Sequence, residues 1–188
     1  MENISPAILK DCLNKDRKAQ FKLYKSCYSV LMGVCMRYHK NENDALEILN
    51  TGFLKILNNL DKYRSEVPFI AWIKRIMINT VIDDFRKNKK QKKLTEYTDF
   101  QDYDDNVQLV DFNTADQQFD ANALEDLIHQ LPPMTAKVFN LYAIDGYAHK
   151  EIAELLGISD GTSKWHVSAA RKKLQEMMKE VINSSKII

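Results

Sequence analysis

Thr162, Lys164, Trp165, Ser168, Arg171 and Lys172 place two hydroxyls, an indole and three cations within eleven residues. That mixture serves recognition rather than bond-breaking. Hydroxyls and cations donate to phosphates and base edges, while apolar groups pack on thymine methyls. At about 100° per residue, Thr162, Trp165, Ser168, Ala169 and Lys172 share one side of a helix, with Lys164 and Arg171 on its flank. Ser163, Val167, Ala170, Leu174 and Met177 fall on the opposite stripe, which is the one expected to be buried.

A second group lies upstream. Trp72, Arg75, Asn79, Asp83 and Arg86 recur at helical spacing, separate from a core stripe of Phe69, Ile73, Ile76, Met77 and Thr80. Such a row can stack on an unpaired base, hold phosphates and read a base edge. It runs into Arg86-Lys87-Asn88-Lys89-Lys90-Gln91-Lys92-Lys93, where six of eight residues are positive. Counterion release makes such a stretch an adhesive for any polyanion.

The elements that position these groups are helices. Around the first, residues 147–174 read as a helix-turn-helix. Ile152, Ala153, Leu155 and Leu156 face one way on a short helix, and Gly157 can take the left-handed conformation that ends it. Ile158 plugs the corner. Ser159 is a suitable N-cap, and Asp160 puts negative charge where the helix dipole favours it. An amphipathic surface helix has a charged outer face in any case. The glycine and the cap at this spacing turn the balance toward a helix that enters the major groove.

In the amino-terminal half, residues 16–38 give a helix with Phe21, Tyr24, Tyr28, Leu31 and Cys35 on one side. A turn at Asn41–Asp44, with Asn43 as candidate cap, precedes a helix from about Asp44 to Leu60. Its core stripe is Ala45, Ile48, Leu49, Gly52, Phe53, Ile56 and Leu60, yet Leu46, Leu54 and Leu57 lie on another side with Asn50 among them. Apolar character on two sides favours a docking surface. Pro68 breaks the pattern after Arg64 and opens the next helix, Phe69 to about Lys87.

Composition sets the limits. The chain has 188 residues, 45% of them hydrophobic, enough for one domain or two small ones. The overall charge of +1 conceals segregation: residues 1–93 carry 19 basic and 10 acidic groups, residues 94–136 carry 0 and 10, and residues 137–188 carry 8 and 6. Two positive modules joined by an acidic segment suit two nucleic-acid-facing parts. The segment has little periodicity, so it is expected to be largely disordered, with Tyr97, Phe100, Tyr103, Phe112 and Phe119 as anchors.

Cys12, Cys27 and Cys35 lack a CxxC pair, and on one helix the last two would stand about 12 Å apart, so they read as reduced core residues. His39, His129, His149 and His166 are scattered and read as solvated or capping side chains, leaving no metal site. No cofactor and no enzymatic activity are expected, since neither a nucleophile–base motif nor a phosphate-cradling glycine loop is present. With no apolar run long enough to span a membrane and no secretory signal, the chain reads as cytoplasmic.

Asp44-Ala45-Leu46-Glu47-Ile48-Leu49-Asn50-Thr51-Gly52-Phe53, then Phe69-Ile70-Ala71-Trp72-Ile73-Lys74-Arg75-Ile76-Met77-Ile78-Asn79-Thr80-Val81-Ile82-Asp83, then the basic run, the linker and the helix-turn-helix form an ordered series. From about Asp16 to Met178 this order resembles the extracytoplasmic-function (ECF) sigma factors of bacterial RNA polymerase. The resemblance implies an all-α protein of two small helical domains: a region 2-like domain at 1–93, an acidic flexible linker at 94–121, and a region 4-like helix-turn-helix domain at 122–188. It implies as partners core RNA polymerase, through the clamp helices of the largest subunit and the flap, and promoter DNA. An anti-sigma factor is left open as a third partner, and membrane insertion is not expected.

Residue by residue, the resemblance assigns Asp44, Leu46, Glu47, Asn50, Leu54 and Leu57 to the core polymerase. Arg64, Ser65, Phe69, Trp72, Arg75, Asn79, Arg86 and Lys87 go to the −10 element and its flipped base. His149, Lys150, Thr162, Lys164, Trp165, Ser168, Arg171 and Lys172 go to the −35 element. Leu46 and Thr51 stand where members usually have acidic residues, Ala169 where an arginine is common, and Trp165 where a smaller residue is usual. A LuxR-type transcriptional regulator shares the carboxyl-terminal pattern, notably Lys164, His166 and Val167, but would have a sensing domain upstream. An interaction protein that tethers polymerase would use the leucine surface without the Trp165/Lys172 side.

Overall fold

The computed structural model describes residues 4–92 and 121–185. The expected linker at 94–121, with its five aromatics, therefore lies outside the described residues except for Ala121, as does Lys93 of the basic run. Eight α-helices and no strand occur among the described residues, in two compact units divided between Leu94 and Thr95.

In the amino-terminal unit the helices are α1 (Pro6–Leu13), α2 (Arg17–Met36), α3 (Glu42–Asn58) and α4 (Phe69–Lys92). Ser5 caps α1, with its Oγ accepting from the Ile8 amide at 3.4 Å. Asp16 caps α2, accepting from the Ala19 amide at 2.7 Å. For α3 the cap is Asn41 rather than Asn43, because the Asn41 side chain reaches the Asn43 amide at 2.8 Å and helical geometry is established two residues earlier than expected.

Leu23, Leu31, Leu49, Ile56, Ile73, Met77 and Ile82 are fully enclosed where α2, α3 and α4 meet. Each such aliphatic contributes about 1.5–3 kcal/mol by leaving water. The α3 stripe is buried as expected. That of α2 is not the expected one: Leu23, Cys27 and Val34 accompany Leu31 and Cys35 inward, whereas Phe21 is 61% exposed. The aromatics instead work at the periphery, Phe21 beneath the Lys25 ammonium 5.2 Å from its centroid and Tyr24 edge-on to Phe53 at 5.0 Å. On α4, Ile73, Met77 and Thr80 of the expected stripe are buried but Phe69 and Ile76 only half so, while Ile78, Val81 and Ile82 face inward, and the helix continues to Lys92 instead of ending near Lys87.

Gly52 explains the close approach of α3 and α4. A Cβ at this position would lie 2.5 Å from Cε of Met77, so only hydrogen fits while that methionine keeps its place. The three thiols are buried and unbonded, and burial pushes Cys27 up to about 11 and Cys35 to about 12. They act as small core hydrophobes.

The carboxyl-terminal unit comprises α5 (Ala121–Gln130), α6 (Pro133–Phe139), α7 (His149–Leu156) and α8 (Asp160–Ser185). Pro132 and Pro133 start α6 with Pro133 at its first position, where a missing amide does no harm. Leu127, Ile128, Leu131, Phe139, Ala170, Leu174, Met177 and Met178 form the core among α5, α6 and α8. Between α6 and α7 the chain makes a π-helical turn, Asn140–Ile144, in which the Asp145 amide donates to the Asn140 carbonyl at 2.9 Å.

Candidate nucleic-acid interface

The helix-turn-helix forms as its residues dictate. Gly157 adopts φ 67°, ψ 43° and closes α7. Glu151 accepts from the Ala148 amide at 2.9 Å, fixing the α7 start. Ser159 Oγ accepts from the Thr162 amide at 2.9 Å and also meets the Thr162 hydroxyl at 2.8 Å, so the cap engages a side chain of the outer face as well as the backbone. Ser163, Val167, Ala170, Leu174 and Met177 are all buried. On the other side Thr162, Trp165, Ser168 and Ala169 are half-buried and Lys172 is exposed.

Charge at the head of α8 is partly committed. Lys164 Nζ donates to Asp160 Oδ2 at 2.7 Å, one turn apart. That hydrogen bond holds the Asp160 carboxyl below the usual range and raises the Lys164 ammonium. Lys150 is exposed at the α7 start. Arg171 lies with its guanidinium 5.8 Å from the Tyr142 ring centroid.

His149 and His166 are not the solvated or capping side chains expected. His149 stacks on Tyr142, centroids 4.4 Å apart and planes 14° from parallel, and its Nδ1 is 3.0 Å from the Ser163 hydroxyl. His166 Nδ1 is 3.0 Å from the Thr135 hydroxyl, and the Trp165 ring meets its imidazole edge-on at 4.8 Å. Burial lowers the pKa of both imidazoles; on His149 the Asp160 carboxylate opposes this, while Lys164 and Arg171 act with burial. Among the described residues no group of His, Cys, Asp and Glu could hold a metal ion.

In the amino-terminal unit the turn before α4 and its first residues build an aromatic group. Tyr63 lies 5.1 Å from Phe69 and 5.3 Å from Trp72, and Phe69 lies 5.8 Å from Trp72. Tyr63 also locks the loop, its hydroxyl donating to the Val67 carbonyl at 3.0 Å while the Val67 amide donates to the Arg64 carbonyl at 3.2 Å. Arg64 and Ser65 are exposed on that loop. Arg75, Asn79, Arg86 and Lys87 follow as exposed side chains along α4. Asp83, in the same row, pairs instead with Lys55 of α3 at 3.0 Å. Tyr63 was missed in the sequence, where an isolated tyrosine beside Arg64 carries no periodic signal.

On α3, Asp44, Glu47, Asn50 and Leu54 are exposed, Leu54 by 61%, and Leu46 and Leu57 are half-buried. The Asn50 side chain accepts from the Tyr24 hydroxyl at 3.0 Å, which fixes its amide at the edge of this surface.

A helix-turn-helix in one all-helical unit, with an aromatic and cationic face in the other, defines a protein that handles nucleic acid. Residues 23–91 match the sigma-70 region 2 family and residues 121–174 the sigma-70 region 4 family. An ECF RNA polymerase sigma-E factor of Haemophilus influenzae is 23% identical over 187 residues, 96% of this chain and 99% of that protein. The RNA polymerase sigma factor SigV of Bacillus subtilis is 26% identical, with 90% of each chain covered. The crystal structure of the sigma factor RpoE in complex with the anti-sigma factor NepR from Bartonella quintana covers 84% of this chain and 95% of its own, with a TM-score of 0.51 and 17% identity, a likeness of fold. The chain belongs to the sigma-70 family of RNA polymerase sigma factors, in its ECF group. A LuxR-type regulator is not favoured, because the amino-terminal half matches region 2 where that reading needs a sensing domain.

Proposed function

We propose that this sigma factor docks on core polymerase through the α3 surface of Asp44, Leu46, Glu47, Asn50, Leu54 and Leu57, and places both units on one promoter. In this reading residues 1–93 take the −10 element, 94–121 link, and 122–188 take the −35 element. Thr162, Lys164, Trp165, Ser168 and Lys172 meet the −35 major groove. Lys150, Arg171 and the His149 end of α7 lie toward its phosphates. Arg64, Ser65, Phe69, Trp72, Arg75 and Asn79 capture an unpaired −10 base, and Arg86 and Lys87 hold the backbone.

The observation that carries this is the Tyr63–Phe69–Trp72 group beside exposed Arg75 and Asn79. Stacking platforms next to cations and an amide are what an extruded base requires, and stacking offsets the few kcal/mol of unpairing. The protein acts by binding, in the cytoplasm, with no catalytic step of its own. Among the described residues no helix is long and apolar enough to cross a membrane. An anti-sigma partner belongs to the same reading, since RpoE of Bartonella quintana was crystallised with one.

Run-off transcription with purified core polymerase and a genomic fragment library tests it. Discrete start sites that need the added chain are expected. DNA binding without association with core would overturn the assignment.

A further inference from the structure

Arg171 and His149 sit on different helices of the reading motif, and one ring touches both. Tyr142 stacks on His149 at 4.4 Å and lies 5.8 Å from the Arg171 guanidinium. His149 is in turn anchored to α8 through the wholly buried Ser163, its Nδ1 3.0 Å from the hydroxyl. The path therefore leaves α8 at Ser163 and returns to it at Arg171, eight residues and about 12 Å further along the axis.

Tyr142 owes this position to the π-helical turn. Asn140 and Leu141 are buried, the Asp145 amide reaches back five residues to Asn140, and the Tyr147 amide donates to the Leu141 carbonyl at 2.9 Å. The widened turn holds Tyr142 half-buried at the rim. π-Helical turns are rare and are frequently found at functional sites.

We propose that Tyr142 is a positioning residue for DNA binding, its ring holding the Arg171 guanidinium, with His149 as a backstop, in the orientation that meets a phosphate. An arginine on a flexible stem loses rotamer freedom when it grips a ligand, and an aromatic face that already holds it reduces that loss. Burial biases the His149 imidazole toward its neutral form, whereas the Arg171 guanidinium stays cationic.

The proposal rests on the carboxyl-terminal unit being a DNA reader. Its test is fluorescence anisotropy of the full-length chain with a labelled random-sequence 20-base-pair duplex, at several NaCl concentrations. Arg171→Ala and Tyr142→Leu are each expected to weaken binding about five- to tenfold and to lower the salt slope by about 0.9, one phosphate's share. The double variant should be no weaker than either single one, and Tyr142→Phe should match the parent. If the leucine variant melts early, Tyr142→Met, which fills similar space without a π face, replaces it. Parent-like binding by both Leu and Met variants, multiplication of the two effects in the double variant, or a phenylalanine variant as weak as leucine each overturns the proposal. A parent chain that binds no duplex overturns the DNA-reader reading with it, whereas failed association with core polymerase strikes only the sigma-factor reading.

Discussion

The hydroxyl of Ser163, on the inner face of α8 and wholly shielded from solvent, lies 3.0 Å from Nδ1 of His149 at the start of α7. One short polar contact thus ties the two helices of the helix-turn-helix at their amino-terminal ends. It also ties their stability to pH. Burial lowers the folded-state pKa of His149 and of His166, so the unfolded chain binds protons more readily. The stabilising difference is complete above the unfolded histidine pKa of about 6.5 and is lost as pH falls through the folded values. The melting temperature of the carboxyl-terminal unit should fall between pH 7.5 and 5.5, and His166→Asn should flatten that slope. A melting temperature that rises on acidification would contradict it.

Gly157→Ala isolates backbone strain. A Cβ there meets no atom within 4 Å, while φ is +67°, so nothing but the left-handed conformation opposes it. A loss of about 1–2 kcal/mol is expected. For a unit of this size each kcal/mol lowers the melting temperature by roughly 4–8 °C. Gly157→Asn should lie between the two, because asparagine tolerates this region. Calorimetry of the full chain reads both.

Trp72→Ala should leave holoenzyme assembly intact and impair melting. Trp72 contributes to the aromatic group without being central to the core. Losing one stacking surface worth about 1–3 kcal/mol should reduce open complexes roughly ten- to hundredfold. Permanganate reactivity of promoter thymines is the measurement, and parent-like reactivity would remove Trp72 from its role.

Leu54→Asp should do the reverse. Its side chain is 61% exposed, so the fold should tolerate a carboxylate and far-ultraviolet circular dichroism should be unchanged. Affinity for core polymerase should drop at least about tenfold, as for a charge placed in a desolvated contact. Assembly as tight as the parent's would show that α3 docks elsewhere.

Gly52→Val should destabilise the amino-terminal unit by about 1–3 kcal/mol, because the added carbons collide with Met77. Combining it with Met77→Ala, which opens space, should give less than the sum of the two losses. Simple additivity in urea titrations would show that Met77 is not the obstacle.

The parts of this molecule legible in its sequence are those with a strong local code. Gly157, Ser159 and the stripe from Ser163 to Met177 follow from a left-handed turn, a cap and a period of 3.6, and all are present. The α3 stripe was equally legible. Residue type misled where periodicity left two registers open: on α2 the aromatics Phe21, Tyr24 and Tyr28 competed with Leu23, Cys27 and Val34, and packing against α3 and α4 chose the latter. The candidate site was legible as a set of residues but not as a set of partners. Asp83 turned to Lys55, His149 to Ser163 and Tyr142, and His166 to Thr135 across 31 positions. Apart from the nearby Tyr142, those partners lie 14 to 31 positions away, and a π-helical turn has no period by which to announce Tyr142.

The unbroken run of α4 from Phe69 to Lys92 makes it a ruler. From Trp72 to Arg86 the axis advances about 21 Å, near six steps of a nucleic-acid strand at about 3.4 Å each. The distance and the azimuth between Trp72 and Arg86 are therefore set by one rigid rod. A single residue inserted midway would swing one end by about 100° and throw the two out of phase, whereas four would nearly restore the angle at a greater reach.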